Sequence, residues 1–451
     1  MPIIAEICAY PGNERAVYIR RWEILLDYIK KSERWDINED VLNAAEKVMY
    51  ELTTRFSEID NTCASNQLKV INAMQELGLS EHHFSGSTGY GYGDLGREFV
   101  DDLMARVMGT EDALVRHLWV SGTHTIYSCL ASLLNQGDTL LSVTGRPYDT
   151  LAKLIGITQD APSNSLIEQG INYKEVSLTE GGLIDYQAVN TRIKELQPEV
   201  AFIQKSRGYS SRKTLTNEDI KKLVSLIKEA SPNTKIFLDN CYGEFVEHNE
   251  PGELEIDLLA GSLIKNPGGG LAPYGGYIAG KSDLVERVSY ELTAPGLGRD
   301  MGATPEEFNR LFIQGLYMSP TTVASAVKGA IFSAGLFQEL GYSVSPHPED
   351  KRGDIIQEIS LHNEDKLKAF ITGIQKAGVV DSQIAPEPGE MPGYDCPVMM
   401  AAGTFIQGAS LELSADAPLR PPYRVYQQGG LTFPHAVLGS LIAANYVSKE
   451  S

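Results

Sequence analysis

Four short segments carry side chains whose types and order suit one piece of chemistry. Ser121-Gly122-Thr123-His124 follows an apolar run and opens a helix-like one. Exposed N–H groups at a helix start, with a small hydroxyl beside them, attract an anion, although Ser and Thr are also ordinary helix caps. Thr144-Gly145-Arg146-Pro147-Tyr148 brings an aromatic ring to the end of the run TLLSV. Asp239 lies at the end of KIFLDN, where open α/β sheets place their ligands. Lys265 ends LLAGSLIK and precedes Asn266-Pro267-Gly268-Gly269-Gly270, a flank with few side chains to crowd its amine. A phosphate cradle, a stacking ring, a buried acid and a strand-end lysine are the parts that a pyridoxal phosphate site requires. The lysine forms the Schiff base, and the acid keeps the pyridine nitrogen protonated.

Two literal phosphate motifs compete with this reading. Gly91-Tyr92-Gly93-Asp94-Leu95-Gly96 spells the dinucleotide pattern, but it follows EHHFSGSTGY rather than a buried strand, as that fingerprint requires. Gly275 to Ser282 spells a P-loop, yet its GGYIAG reads as a strand and not as a loop free to wrap phosphate. An ATPase is therefore kept only as a foil. His82-His83 lacks further ligands at metal spacing and reads as structural, and no metal is expected. His124 reads as a cap or a cofactor neighbour, and Cys241 as a small buried hydrophobe.

The elements that must position these residues show as a change of pattern along the chain. Val41, Leu42, Ala45, Val48, Met49, Leu52 and Phe56 form one apolar helical stripe, after a shorter one from Ile19 to Ile29. From about residue 110, strand candidates at 113–120, 139–143, 200–204, 235–240, 258–264 and 275–280 alternate with helical readings at 122–135, 148–156, 184–196, 216–230 and 281–292. This alternation predicts an α/β domain on a mostly parallel sheet with helices on both faces. A helix over 321–340 ends at Gly341, and strands at 354–361, 398–403 and 409–415 suit a smaller α+β unit. The expected division is a helical segment with a Gly/Tyr loop at 1–105, a cofactor-binding domain at 106–340 and a small C-terminal domain at 341–451.

Composition narrows the class. The chain has 451 residues, 42% hydrophobic and 22% charged, with a net charge of −20. An acidic surface repels nucleic-acid backbones and anionic lipid, so neither is an expected partner. No run approaches a membrane span, and no signal-peptide pattern opens the sequence. Five scattered cysteines (Cys8, Cys63, Cys129, Cys241, Cys396) without a C-x-x-C pair suit reduced thiols, so a cytoplasmic protein is expected.

Longer strings carry a resemblance. FSGSTGYGYGDLGRE (84–98), SGTHTI (121–126), TGRPYDTL (144–151), SRGYSSR (206–212), LDNCYGEFVE (238–247), AGSLIKNPGGGLA (260–272), the segment 391–423 and QGGLTF (428–433) resemble the methionine gamma-lyase or cystathionine beta-lyase family of pyridoxal-phosphate enzymes, also called the aluminium resistance protein family. The likeness runs from about residue 60 onward. It implies the fold-type-I, transferase-like architecture and a homodimer or homotetramer with sites at subunit interfaces. It also implies Lys265 as the Schiff-base lysine, Asp239 on the pyridine nitrogen and Tyr148 as the stacking ring. Ser121, Gly122, Thr123 and Ser262 would hold the phosphate, with Tyr90 and Tyr92 arriving from a neighbouring subunit. The arginine that relatives carry in a Tyr-x-Arg is replaced here by Tyr92, which leaves Arg207 and Lys205 as candidates for the missing charge. Arg420 would bind the substrate carboxylate, for which a guanidinium fork is matched. The implied activity is carbon–sulfur β- or γ-elimination on an amino acid. Other chemistry at Cα and a scaffold without turnover are the alternatives.

Overall fold

The computed structural model describes residues 14–32, 34–210, 212–391 and 396–450, with side chains from Trp22 onward. Cys8 and residues 392–395 lie outside the described residues, and of Ile19 the backbone alone is described. The chain opens with helices α1 (Glu14–Lys30), α2 (Glu39–Glu51) and α3 (Thr53–Glu76). The stripe from Val41 to Phe56 is thus shared by two helices, which meet at Leu52. Asn38 caps α2 by accepting the Asp40 N–H at 2.8 Å. Helix α4 (Leu95–Met108) begins at Asp94 and stops at Gly109, whose φ of 71° is left-handed.

The large sheet follows. Its strands are β1 (Asp112–Arg116), β2 (Thr139–Ser142), β3 (Asn172–Glu175), β4 (Val200–Gln204), β5 (Lys235–Asp239), β6 (Leu258–Ser262) and β7 (Gly276–Gly280). Between them run α5 (Gly122–Leu133), α6 (Asp149–Ile155), α7 (Tyr186–Leu196) and α8 (Asn217–Ala230), with α9 (Ser282–Leu292) after β7. The spatial order is β1-β7-β6-β5-β4-β2-β3. Strands β6 to β3 in that order are parallel, whereas β7 is antiparallel to both neighbours. Alternate residues feed two cores, as period-2 geometry requires. Ile236 and Leu238 join one buried cluster, while Phe237 joins the other with Phe202 and Leu258. A sheet covered on both faces needs continuous apolar strands, which explains runs such as VAFIQ.

The strand expected at 113–120 ends at Arg116, and Val120 is exposed. The helix expected from 321 begins at Glu306: α10 (Glu306–Glu339) carries Pro320 inside it. The proline costs a helical hydrogen bond, but flanking Leu316, Val323 and Val327 are buried and hold the helix by packing. The α2 helix packs hard on α10, where a Cβ at Gly335 would meet Val48 at 2.6 Å.

The C-terminal sheet has strands β8 (Ser343–Ser345), β9 (Gln357–Ser360), β10 (Val398–Ala401), β11 (Ser414–Pro418) and β12 (Arg424–Gln428), all antiparallel in the order β10-β11-β12-β9-β8. Helices α11 (Glu364–Ala377) and α12 (Phe433–Val447) complete this unit. The strand expected at 409–415 is displaced to 414–418. The Glu412 carboxylate accepts the N–H groups of Phe405 and Ile406 at 2.9 and 3.0 Å, folding its own segment into a turn. Among the described residues no helix is long and apolar enough to cross a membrane.

Candidate active site

Strands β5 and β6 are parallel, so both deliver their carboxyl ends to the same edge of the sheet. Asp239 is the last residue of β5, and Lys265 stands three residues beyond β6. The first turn of α5 closes on these two ends. A Cβ on Gly122 would stand 3.2 Å from Ser262 Cβ and 3.3 Å from Cys241 Sγ, so any side chain there would push the helix start and the strand ends apart by a few tenths of an ångström. Ser121 Oγ caps α5 by accepting the His124 N–H at 3.1 Å. Tyr148 precedes α6, with its N–H on Gln204 Oε1 at 3.2 Å and its hydroxyl 3.1 Å from Thr123 Oγ1.

These residues line one cavity of about 460 Å³. It brings together Ser121, Gly122, Thr123, Tyr148, Asp239, Ser262, Lys265, Arg207 and Arg420. Tyr90 and Tyr92 stand outside it, exposed, with their rings 5.7 Å apart. The Lys265 amine lies 3.9 Å above the ring of Tyr242. Burial works against the lysine's charge, but the acidic groups around it, the Asp239 carboxylate among them, outweigh it and hold the amine above the usual lysine range. Burial lifts Asp239 above the usual carboxylate range, opposed by Lys265 and by the Cys241 N–H, which donates to Oδ1 at 3.0 Å. Burial and the neighbouring Asp239 also keep the Cys241 thiol protonated, as its reading as a buried hydrophobe expects.

The two expected sources of positive charge are spent elsewhere. Arg207 lines the cavity, but its guanidinium is engaged by the C-terminal unit, donating to Glu358 Oε2 at 2.7 Å and to the Ser345 carbonyl at 2.6 Å. Lys205 does not line the cavity: its Nζ donates to Glu247 at 3.1 Å and Asn217 at 2.8 Å. Arg212 and Arg146 also reach the cavity. Arg212 is buried and donates to the Gln204 carbonyl at 2.7 Å; burial lowers its pKa only to about 10, so it stays charged at neutral pH. The glycines after Lys265 also have a different reason from the one expected. A Cβ on Gly268 would collide with the Leu263 carbonyl of its own turn, and one on Gly269 with the Gly315 carbonyl of α10, so the pair permits a tight turn packed onto that helix.

The rival motifs do not form. Gly276–Gly280 is a strand hydrogen-bonded on both sides, not a phosphate loop. Gly91 and Gly93 precede a helix start occupied by the Asp94 carboxylate, which accepts the Arg97 N–H at 2.9 Å. His83 stacks on Phe99 at 4.4 Å and caps a turn through Ser80. Among the described residues, no three His, Cys, Asp or Glu side chains gather as metal ligands.

The family model for methionine gamma-lyase matches residues 41–448. The chain belongs to the methionine gamma-lyase family. The match starts nearer the amino terminus than the residue-60 limit of the sequence resemblance, and so takes in α2 and α3. A solved structure from Clostridium acetobutylicum is 45% identical, covers 93% of this chain and 99% of its own, and superposes with a TM-score of 0.89. Another, from Clostridium novyi NT, named a carbon-sulfur lyase involved in aluminum resistance, is 46% identical over 93% of this chain and 98% of its own, with a TM-score of 0.88. The uncharacterized protein YnbB of Bacillus subtilis is 44% identical over 84% of this chain and 89% of its own. At 15% identity and a TM-score of 0.59, covering 87% of this chain and 97% of its own, the pyridoxal-5'-phosphate-dependent protein YhfS of Escherichia coli shares the fold. The architecture is accordingly fold type I, and membership in the methionine gamma-lyase family implies pyridoxal phosphate.

Among the lining residues that escaped the sequence reading of this family member are Tyr242, Gln204 and Arg212. Arg212 lies in the string SRGYSSR, but nothing local distinguishes it from Arg207. Tyr242 has a φ of 72°, a left-handed conformation that costs a bulky residue energy and places its ring beneath Lys265.

Proposed function

We propose that this protein is a pyridoxal-phosphate-dependent lyase that cleaves a carbon–sulfur bond of an amino acid, releasing a thiol, a keto acid and ammonia. The observation that carries this reading is the convergence of Lys265, Asp239, Tyr148 and the first turn of α5 on one cavity. The residues present fit the cofactor. The Gly122 and Thr123 N–H groups, the Ser262 hydroxyl and the Arg212 guanidinium suit a phosphate dianion. A carboxylate at Asp239 suits a protonated ring nitrogen, and Tyr148 provides an aromatic wall. When bound, pyridoxal phosphate supplies an electron sink for negative charge at Cα.

Lys265 then has two duties. Its Nζ would hold the cofactor covalently, and its free amine would take the Cα proton. Asp239, buried with Cys241 at the end of β5, would supply the negative charge that keeps the ring nitrogen protonated. Arg420, at the cavity's rim, orients the substrate carboxylate. Tyr90 and Tyr92, exposed and off the cavity of their own chain, add donors to the site of a second copy in a homodimer or homotetramer.

Borohydride treatment of the protein loaded with pyridoxal phosphate should fix the cofactor to the peptide bearing Lys265. An amino-acid panel should yield keto acid, ammonia and thiol together. Keto acid without thiol would replace the lyase reading by other chemistry at Cα. Mixing inactive Lys265→Ala and Tyr92→Phe proteins should restore some activity through hybrid dimers. A fully active monomer would remove the shared site.

A further inference from the structure

Glu244, a short way beyond Asp239, is a carboxylic acid that the proposed chemistry does not use, and it is fully buried. It lies beneath the strand ends that carry the site. Gly261 of β6 has no room for a side chain, because a Cβ there would come within 2.5 Å of the Tyr277 ring and 2.7 Å of Glu244 Oε1. Tyr277 of β7 donates its hydroxyl proton to Glu244 Oε1 at 2.7 Å and accepts from Asn240 Nδ2 at 3.2 Å. Asn266 Nδ2 donates to the Glu244 carbonyl at 2.9 Å. Asn240 follows Asp239, and Asn266 follows Lys265. One buried network therefore grips the chain beside each of the two residues.

The network is short of protons. Glu244 Oε2, Asn240 Oδ1 and Asn266 Oδ1 are all buried without a hydrogen-bond partner. With Glu244 ionised, all three would be acceptors lacking donors, which is costly in a low-dielectric site. A proton on Oε2 turns one acceptor into a donor. Burial foremost, with Glu250 nearby, raises the pKa of Glu244 to about 8 against the pull of the Tyr277 hydroxyl and of Lys265. Glu250 is itself held by the Phe245 N–H at 3.0 Å and by Lys69 of α3 at 3.4 Å. Cys241, at the end of β5, is the remaining titratable neighbour, and its thiol is neutral.

We propose that Glu244 is a positioning residue that works as a neutral acid, fixing the ends of β5 and β6 and through them the placement of Asp239 against Lys265. The positioning half rests on the function proposed above; the protonation half does not. For an acid whose folded proton affinity is raised, stability is fullest below the ordinary glutamate range, falls as pH rises, and levels off above about pH 8. Glu244→Gln keeps one donor and one acceptor and cannot ionise. Unfolding of the full-length protein, stripped of cofactor, should be followed between pH 5 and 9.5. The wild type should lose several degrees more than Glu244→Gln across the interval up to about pH 8, with a constant gap above it. Parallel curves would overturn the neutral acid. With pyridoxal phosphate added, the visible band should keep its pH midpoint in Glu244→Gln, which preserves a donor and an acceptor, and should shift it in Tyr277→Phe, which removes the hydroxyl that joins Glu244 to Asn240 beside Asp239. An unchanged midpoint in Tyr277→Phe would overturn the positioning role. A visible band in neither protein would remove the cofactor reading, and with it the positioning role, while the unfolding curves still decide whether Glu244 carries a proton.

Discussion

Lys265 and Lys281 follow adjacent strands, both in glycine-rich company, and they stand at opposite edges of the same sheet. Strand β6 runs with β5, so Lys265 emerges beside Asp239. Strand β7 runs against β6, with Gly276 opposite Ser262 and Gly280 opposite Leu258. Lys281 therefore emerges beside the start of β6, where its Nζ meets Asp257 at 2.7 Å in an ion pair. The starts of α4 and α5 differ in a similar way. Asp94 fills the first with its own carboxylate, whereas the neutral Ser121 leaves the second able to receive an anion. In both pairs the local motif is a poor guide, and what decides the chemistry is strand direction and the charge of the cap.

The largest expected effect tests the lysines directly. Lys265→Ala should lower turnover at least about a thousandfold and abolish borohydride fixation of the cofactor. Lys281→Ala should change kcat/KM by less than about twofold, since its ion pair with Asp257 lies at the opposite edge of the sheet from the site. Similar losses in the two variants would break the comparison. Asp239→Asn should retain cofactor but lose turnover about a hundredfold, because an amide cannot stabilise a protonated ring nitrogen; near-normal kcat would show that another group does so. Gly122→Ala places a methyl group 3.2–3.3 Å from Ser262 and Cys241, and should weaken cofactor binding about tenfold by lifting α5 off the strand ends. A fluorescence titration with pyridoxal phosphate measures this.

The smallest effect sharpens the structural side of the comparison. Burial alone would raise the Asp257 pKa, but Lys228, Lys281 and the Ile236 N–H more than offset it and hold the carboxyl below its usual range. Its contribution to stability is therefore present above the ordinary aspartate range and lost as pH falls through the depressed value. Asp257→Asn should cost about 1–2 kcal/mol at pH 7, with the deficit shrinking in acid. Denaturant melts at pH 7 and pH 3 would show whether it does.

The strands of the large sheet were legible because burial on both faces forces apolar runs such as KIFLD and LLAGS. Strand β12, RVYQQ, was not, although it lies inside the small sheet. Its Gln427 is accepted there by a hydrogen bond from Ser333 at 2.7 Å, and Gln428 by one to Asp416 at 2.9 Å, partners that lie far apart in the chain. Edge strand β3, NYKE, is mostly exposed and gave no apolar signal. The 409–415 run misled because Leu411 and Leu413 are buried in a turn rather than in a strand.

By itself the sequence determined which residue types follow which apolar runs: the hydroxyl and glycine at 121–123, the ring at 148, the acid at 239 and the lysine at 265. Those are local properties, set by helix-start chemistry and by the burial pattern of single strands. Only the tertiary structure decided which candidates face the cavity, because that depends on strand direction and on partners hundreds of residues away. Glu358 of the C-terminal unit engages the Arg207 guanidinium, and Arg212 in the same short string lines the cavity beside it. The left-handed turn at Tyr242 and the reversal of β7 belong to the same category, since each is fixed by packing that no neighbouring residue announces.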